Sequence, residues 1–232
     1  MENRVALVIG AGSGIGRAID LCLAREGVSV VVADADVGGS EETVRRVEAV
    51  DGRAASFLVD VTSGDAVRGA LEFAEERFGG LDVLVNNAGG APGPHFPYAE
   101  PDHWERTLEL RAVMLCTQLA TPAMRRGGGV VVNISSMAGV GSRPYGMPEY
   151  AASNAAVIRP TSALAYLKEE AGLRVNCVCP GWVETPAVRR ALAGMTEEER
   201  AAQDMPPSDI LIQPEEIGEV VVEFARNTRR SG

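Results

Sequence analysis

The start of the chain constrains its fold more than any other stretch. Val5–Ile9 is an unbroken apolar run without alternation, the pattern of a strand buried on both faces of a parallel sheet. Gly10, Gly12, Gly14 and Gly16 follow, and a helical pattern then runs through Arg25. Strand, glycine turn and helix in that order open a nucleotide-binding βαβ unit. Glycines let the backbone turn tightly and approach a diphosphate, and the helix N-terminus presents free N–H groups and the positive end of its dipole. The candidate cofactor contacts here are Gly10, Ser13, Gly14, Ile15 and Gly16. The same glycines would also serve a tight turn that binds nothing.

Nothing divides the 232 residues. No linker, low-complexity run or fixed-period repeat interrupts them, and apolar runs alternate with helical patterns throughout, as in one α/β domain. The net charge of −10 argues against nucleic acid or an anionic membrane as a partner. No apolar stretch is long enough to span a bilayer and no signal-peptide pattern opens the chain, so the expected location is cytoplasmic. Of the four cysteines, Cys22, Cys116, Cys177 and Cys179, the last two alternate along one strand and point the same way. His95 and His103, the only histidines, lie far from them in sequence, so reduced, buried cysteines are expected and no metal.

Further along, residues 28–33 read as a strand ending at Asp34, about 20 residues past the glycines. An acidic side chain there can accept hydrogen bonds from an adenosine ribose, or it can serve a turn or helix cap, a task open also to Asp36. A helix over 41–50 and a strand over 55–59 follow, closed by Asp60-Val61-Thr62. An amphipathic helix over 65–78 carries Val67, Leu71, Ala74 and Phe78 on its core face. A strand over 81–85 runs into Asn86-Asn87-Ala88-Gly89, and a Gly/Pro-rich loop follows over 90–97. A long helix over 102–124 is capped by Asp102 with Glu105 three residues on. Val130–Ile134 is a strand leading to Ser135-Ser136, and Ser136 precedes Tyr150 by 14 residues. A sixth strand over 174–179 ends in Pro180-Gly181-Trp182-Val183-Glu184-Thr185, and a last helix runs from 213 to about 226.

These motifs, in this order, resemble the short-chain dehydrogenase/reductase family over residues 4 to about 226. The glycines fit its G-x-x-x-G-x-G spacing on Gly10, Gly14 and Gly16. The resemblance implies a Rossmann-like, doubly wound parallel sheet of six strands in a three-layer α/β/α domain spanning 1–232, the family's final strand missing. It implies NAD rather than NADP as cofactor, with Asp34 on the ribose and Asp60 and Val61 lining the adenine pocket, although Asp60 could simply start a turn. Asn87, Ala88 and Gly89 would pass beneath the nicotinamide side, the Asn tying neighbouring strands. Pro180, Gly181, Val183 and Thr185 would also contact the cofactor, the Thr185 hydroxyl bonding the nicotinamide carboxamide. Tyr150, also a cofactor contact, would be the general acid/base and Ser136 would bind the substrate oxygen. Hydride would pass between NAD(H) and a small carbonyl or alcohol, under a lid over 187–213 whose Met195, Met205, Ile210 and Leu211 suit an apolar or bulky substrate. Helices 102–124 and 150–171 would pair in a homodimer, rather than the frequent tetramer.

The chain also departs from the family. Its catalytic lysine is Asn154 here, four residues after Tyr150, and the only lysine is Lys168. At 18 residues past Tyr150, about 27 Å along a helix, Lys168 cannot substitute. The family's helix asparagine is absent: Arg111 stands seven residues after Trp104, counting back from residues 115–118 gives Glu109, and no Asn occurs between Ala88 and Val132. Two residues are therefore read as deleted. These losses favour an alternative, an NAD-binding relative with weak or no turnover that acts as a sensor or interaction partner; the Ser136–Tyr150 pair favours the enzyme.

Overall fold

The computed structural model describes residues 1–90, 97–98, 110–124, 128–141, 147–196, 198, 200, 211–227, 229 and 231–232. Six strands form one parallel sheet: β1 (Val5–Ile9), β2 (Ser29–Asp34), β3 (Arg53–Leu58), β4 (Val83–Asn86), β5 (Val130–Ile134) and β6 (Arg174–Val178), in the order β3-β2-β1-β4-β5-β6. The chain winds outward from β1 one way and then returns to start again at β4. That reversal leaves a crevice beyond the carboxyl ends of β1 and β4.

Helices α1 (Gly14–Arg25), α2 (Val37–Glu48), α3 (Gly64–Phe78), α4 (Leu110–Ala120), α5 (Pro148–Ala163), α6 (Leu167–Ala171), α7 (Pro186–Ala193) and α8 (Pro214–Arg226) complete the described elements. Strand alternation splits the core between the two faces. Ala6 and Val8 of β1 face Ile19 and Leu23 of α1, Val47 of α2 and Ile217 and Val221 of α8. Val5, Leu7 and Ile9 face Val67 and Leu71 of α3 and Cys116 and Ala120 of α4. Both faces of β1 are thus covered, which is why its sequence does not alternate. Among the described residues no helix is long and apolar enough to cross a membrane.

The structure moves several expected boundaries. Helix α2 starts at Val37 rather than 41, with Asp36 at its N-cap. Strand β3 begins two residues early because it pairs with β2 from Ser29↔Arg53 to Asp34↔Leu58. Leu81 makes only an isolated bridge to Met124, and Asp82 turns its carboxylate to accept the Val5 N–H at 2.8 Å, so β4 starts at Val83. The helix expected over 150–171 is α5, a 3₁₀ turn at Leu164–Tyr166, and α6, which ends at Gly172 with φ +67. Past α8, Ser231 Oγ accepts the Val175 N–H at 3.1 Å and the Gly232 N–H donates to Val175 O at 2.8 Å, on the outer edge of β6.

Candidate active site

The expected cofactor residues gather at the carboxyl ends of β1, β2, β4 and β6. The Gly10 N–H donates to Ala33 O at 2.8 Å, which starts the glycine turn beside β2. A Cβ on Gly10 would lie 2.7 Å from Ala88 Cα, and one on Gly16 would lie 2.2 Å from Gly10 O. The Asn87 amide donates to Gly10 O at 2.8 Å and so ties β4 to the turn. Gly14 takes φ +53, and a Cβ there would come 3.2 Å from Thr185 Cγ2. The glycine turn and the segment after β4 therefore meet backbone to backbone, which only glycine permits at positions 10 and 16, and the Thr185 side chain of the segment after β6 closes on Gly14.

The N-terminus of α1 suits an anion. Ser13 is its N-cap yet makes no side-chain cap hydrogen bond, and no acidic residue lies in the first turn. The first-turn N–H groups have no partner within the helix itself. Asp34 uses both carboxylate oxygens on the backbone, accepting the Gly12 N–H at 2.8 Å and the Asp36 N–H at 2.9 Å. The turn role and the ribose role are compatible, since each carboxylate oxygen keeps a second lone pair. Arg17 holds this corner: its Nε donates to Thr43 Oγ1 at 2.9 Å and its guanidinium to Gly12 O. Asp60 forms a turn, accepting the Thr62 N–H and hydroxyl at 2.9 and 2.7 Å, and these bonds hold its carboxyl below the usual range. Val61 packs against the core face shared by α3 and α4. A dinucleotide fits these residues: a glycine turn, an uncapped helix N-terminus and a carboxylate one strand away.

Ser136 follows β5 and begins the 3₁₀ turn Met137–Gly139, its Oγ accepting the Ala138 N–H at 3.1 Å. Tyr150 stands in the first turn of α5. Gly139 joins the two elements, since a Cβ on it would lie 2.5 Å from Ala155 N and 2.6 Å from the Asn154 carbonyl carbon. Pro180 O accepts the Met137 N–H at 2.9 Å, and Thr185 caps α7 by accepting the Val188 N–H at 3.2 Å. Val183 bridges to Ile212, so both ends of the expected lid are anchored beside the site.

Asn154 is only 1% exposed. Its amide donates to Tyr150 O at 2.9 Å and its Oδ1 accepts the Ser135 hydroxyl at 3.2 Å. The Asn154 side chain thus turns back into the fold. Lys168 donates to Arg229 O at 2.5 Å, and Arg111 donates to Thr62 O at 2.6 Å. Trp104, Asp102, Glu105 and Glu109 lie outside the described residues, as do His95, His103, Met205 and Ile210. Cys22 and Cys116 are buried, whereas Cys177 and Cys179 are only half-buried, which corrects the expectation that all four are. Among the described residues no three His, Cys, Asp or Glu side chains gather as a metal site.

Sequence reasoning missed a buried polar chain beneath the site. Asn86 Nδ2 donates to Asn133 Oδ1 at 2.8 Å, and Asn133 Nδ2 to Thr161 Oγ1 at 2.9 Å. It links β4, β5 and α5. The available signal was an Asn inside Val-Val-Val-Asn-Ile, because a buried amide needs partners across the sheet.

Comparison with known proteins adds three findings. A family model described as short chain dehydrogenase matches residues 4–196. The 3-oxoacyl-[acyl-carrier-protein] reductase FabG of Thermotoga maritima is 34% identical over 231 residues, covering 97% of this chain and 91% of the relative, and the cyclohexanol dehydrogenase of Acinetobacter sp. is 35% identical over 226 residues, covering 95% and 86%. The solved structure of a 7 alpha-hydroxysteroid dehydrogenase complexed with NADH and 7-oxo glycochenodeoxycholic acid superposes with a TM-score of 0.88 at 30% identity, covering 99% of this chain and 91% of that one.

Proposed function

Because this chain belongs to the short-chain dehydrogenase family, we propose that it is an oxidoreductase that passes a hydride between NAD(H) and a carbonyl or secondary alcohol. One observation carries the reading: the glycine turn, Asp34, Asn87 to Gly89 and Thr185 converge at the point where the strand order reverses. That crevice is where open α/β sheets bind ligands. A bound nicotinamide supplies the redox chemistry. The chain's own residues do the rest. Ser136 Oγ holds the substrate oxygen, and Tyr150 Oη exchanges a proton with it. The α1 N-terminus takes the diphosphate at Ser13 to Gly16, Asp34 takes the ribose, and Asp60 and Val61 border the adenine.

Asp34 favours NAD, because a 2′-phosphate beside a carboxylate is a like-charge clash; tenfold to hundredfold preference needs only about 1.4–2.8 kcal/mol. Equal dissociation constants for NADH and NADPH would sink this assignment. The named substrates of the relatives suggest the panel: cyclohexanol, a hydroxysteroid and a 3-oxoacyl thioester, beside simple ketones. Turnover on any of them with NAD(H) supports the reading, and NADH binding without turnover on the whole panel supports the weak or inactive alternative. That alternative has one observation in its favour, the burial of Asn154 where the family carries a charge.

A further inference from the structure

Cys177 and Cys179 present their sulfurs to each other at 3.9 Å on the α5 side of β6. No other cysteines of the chain pair: Cys22 and Cys116 are buried on opposite faces of the sheet, and burial pushes the Cys116 thiol up to about 12. The strand pair differs in chemistry as well as distance. The two sulfurs share a hydrogen bond, and that contact holds the Cys179 thiol below its ordinary value while it raises Cys177. The Ser135 hydroxyl faces both sulfurs, and Thr161 faces Cys177. A shallow cleft of about 360 Å³ along the β6 edge, lined by Asn176, Cys177, Phe224 and Ser231 among others, reaches Cys177, and both cysteines are only half-buried.

We propose that Cys177 and Cys179 are a redox-active dithiol that hydrogen peroxide closes to a reversible intrachain disulfide, and that closure loosens the segment running from Pro180 to Thr185. The Cys179 thiolate attacks the peroxide: an S–O bond forms, the O–O bond breaks, and the departing hydroxide takes a proton to become water. Cys177 then attacks the Cys179 sulfur: the S–S bond forms, the S–O bond breaks, and the thiol proton leaves with the hydroxide as a second water. Two thiols lose two electrons and the peroxide gains them.

Geometry makes the bond feasible and labile. Alternate residues of a strand lie about 6.4–6.8 Å apart at Cα, the long end of the disulfide range, so the bond is strained and easily reduced. The sulfurs must close to about 2.05 Å. Cys177 cannot supply that movement, because it is paired with Asn133 within the ladder. Cys179 can, because β6 ends at Val178. Moving Cys179 moves Pro180, whose carbonyl holds the Met137 N–H at 2.9 Å next to Ser136.

The test treats the full chain with hydrogen peroxide, alkylates it and follows the tryptic peptide over 175–189, which holds both cysteines. The expected result is a loss of 2 Da that dithiothreitol reverses, abolished by Cys177→Ser or Cys179→Ser and kept by Cys22→Ser. Hydrogen exchange should show the Met137 amide exchanging about tenfold faster in the oxidised protein. Irreversible oxygen addition without the 2 Da loss, or a disulfide between chains, overturns the dithiol. A disulfide with unchanged exchange at Met137 overturns its coupling to the segment.

Discussion

Asp20 is fully buried in α1, and neither carboxylate oxygen has a hydrogen-bond partner among the described residues. Burial alone raises its carboxyl well above the ordinary 3.8. The folded chain therefore keeps a proton that the unfolded chain releases. Its effect on stability is most favourable below the ordinary carboxylate value and worsens as pH rises toward the raised native value. Asp20→Ala should stabilise the protein by roughly 1–3 kcal/mol near neutral pH, the cost of an unsatisfied buried polar group. Urea unfolding of both forms should show a smaller gain at about pH 5 than at about pH 8; a pH-independent difference would contradict the argument. On the proposed function, Asn154 poses the opposite problem, a neutral amide at a position where a charge would help Tyr150. An unassisted tyrosine titrates near ~10 and is a weak base at neutral pH. A lysine one helical turn from Tyr150 would lower that value. Each pKa unit is worth about 1.4 kcal/mol, so two to three units correspond to roughly a hundredfold or more in rate. Asn154→Lys should raise kcat near pH 7 and move the optimum down, while losing the Ser135 bond costs about 1 kcal/mol of stability. A pH–rate profile from about 6 to 10 on both forms checks this. A wild type already turning over at about 10 per second at pH 7 would mean that position 154 needs no charge.

At the scale of elements, the union of the 3₁₀ turn after Ser136 with α5 rests on Gly139. A methyl group there would strike the backbone of Asn154 and Ala155, not the end of a flexible side chain. Gly139→Ala should therefore cost about 1–3 kcal/mol by overpacking and reduce turnover, because it pushes the turn behind Ser136 away from the helix of Tyr150. Gly194→Ala, with its nearest neighbour at 3.7 Å, should be close to neutral in the same thermal unfolding experiment. What the chain made legible follows the same logic of local against distant causes. Strands β1 and β5 are readable to the residue because both faces are buried and the apolar runs end at glycine or serine. The edge strand β3 is not, since Arg53, Ser56 and Leu58 face solvent and only pairing with β2 sets its bounds. The glycine turn could be read because its spacing is local. The inward turn of Asn154 could not, because it depends on Ser135 arriving from β5, 19 residues away.

At the scale of the whole molecule, we propose that the face of α4 and α5 takes a second copy. Helices α4 and α5 are neighbours, and their outward residues include Met114, 40% exposed, with Ala152 and Ala155. Small side chains on α5 let a facing helix approach closely, which sets interaxial distance in helix packing. The net charge of −10 opposes association elsewhere, since like-charged surfaces repel. This face carries no acidic residue among those three. A two-fold axis across α4 and α5 would bury the same patch on both subunits and close the assembly at two. At the other flank, the Val175 N–H and carbonyl on the β6 edge are already engaged by residues 231 and 232. Light scattering at micromolar protein should therefore give twice the chain mass. Ala155→Arg places two guanidinium groups against each other near the axis and should shift the protein to the chain mass, with far-ultraviolet circular dichroism unchanged. A tetramer in the unaltered protein, or a dimer that survives both Ala155→Arg and Met114→Glu, would move the interface to another surface.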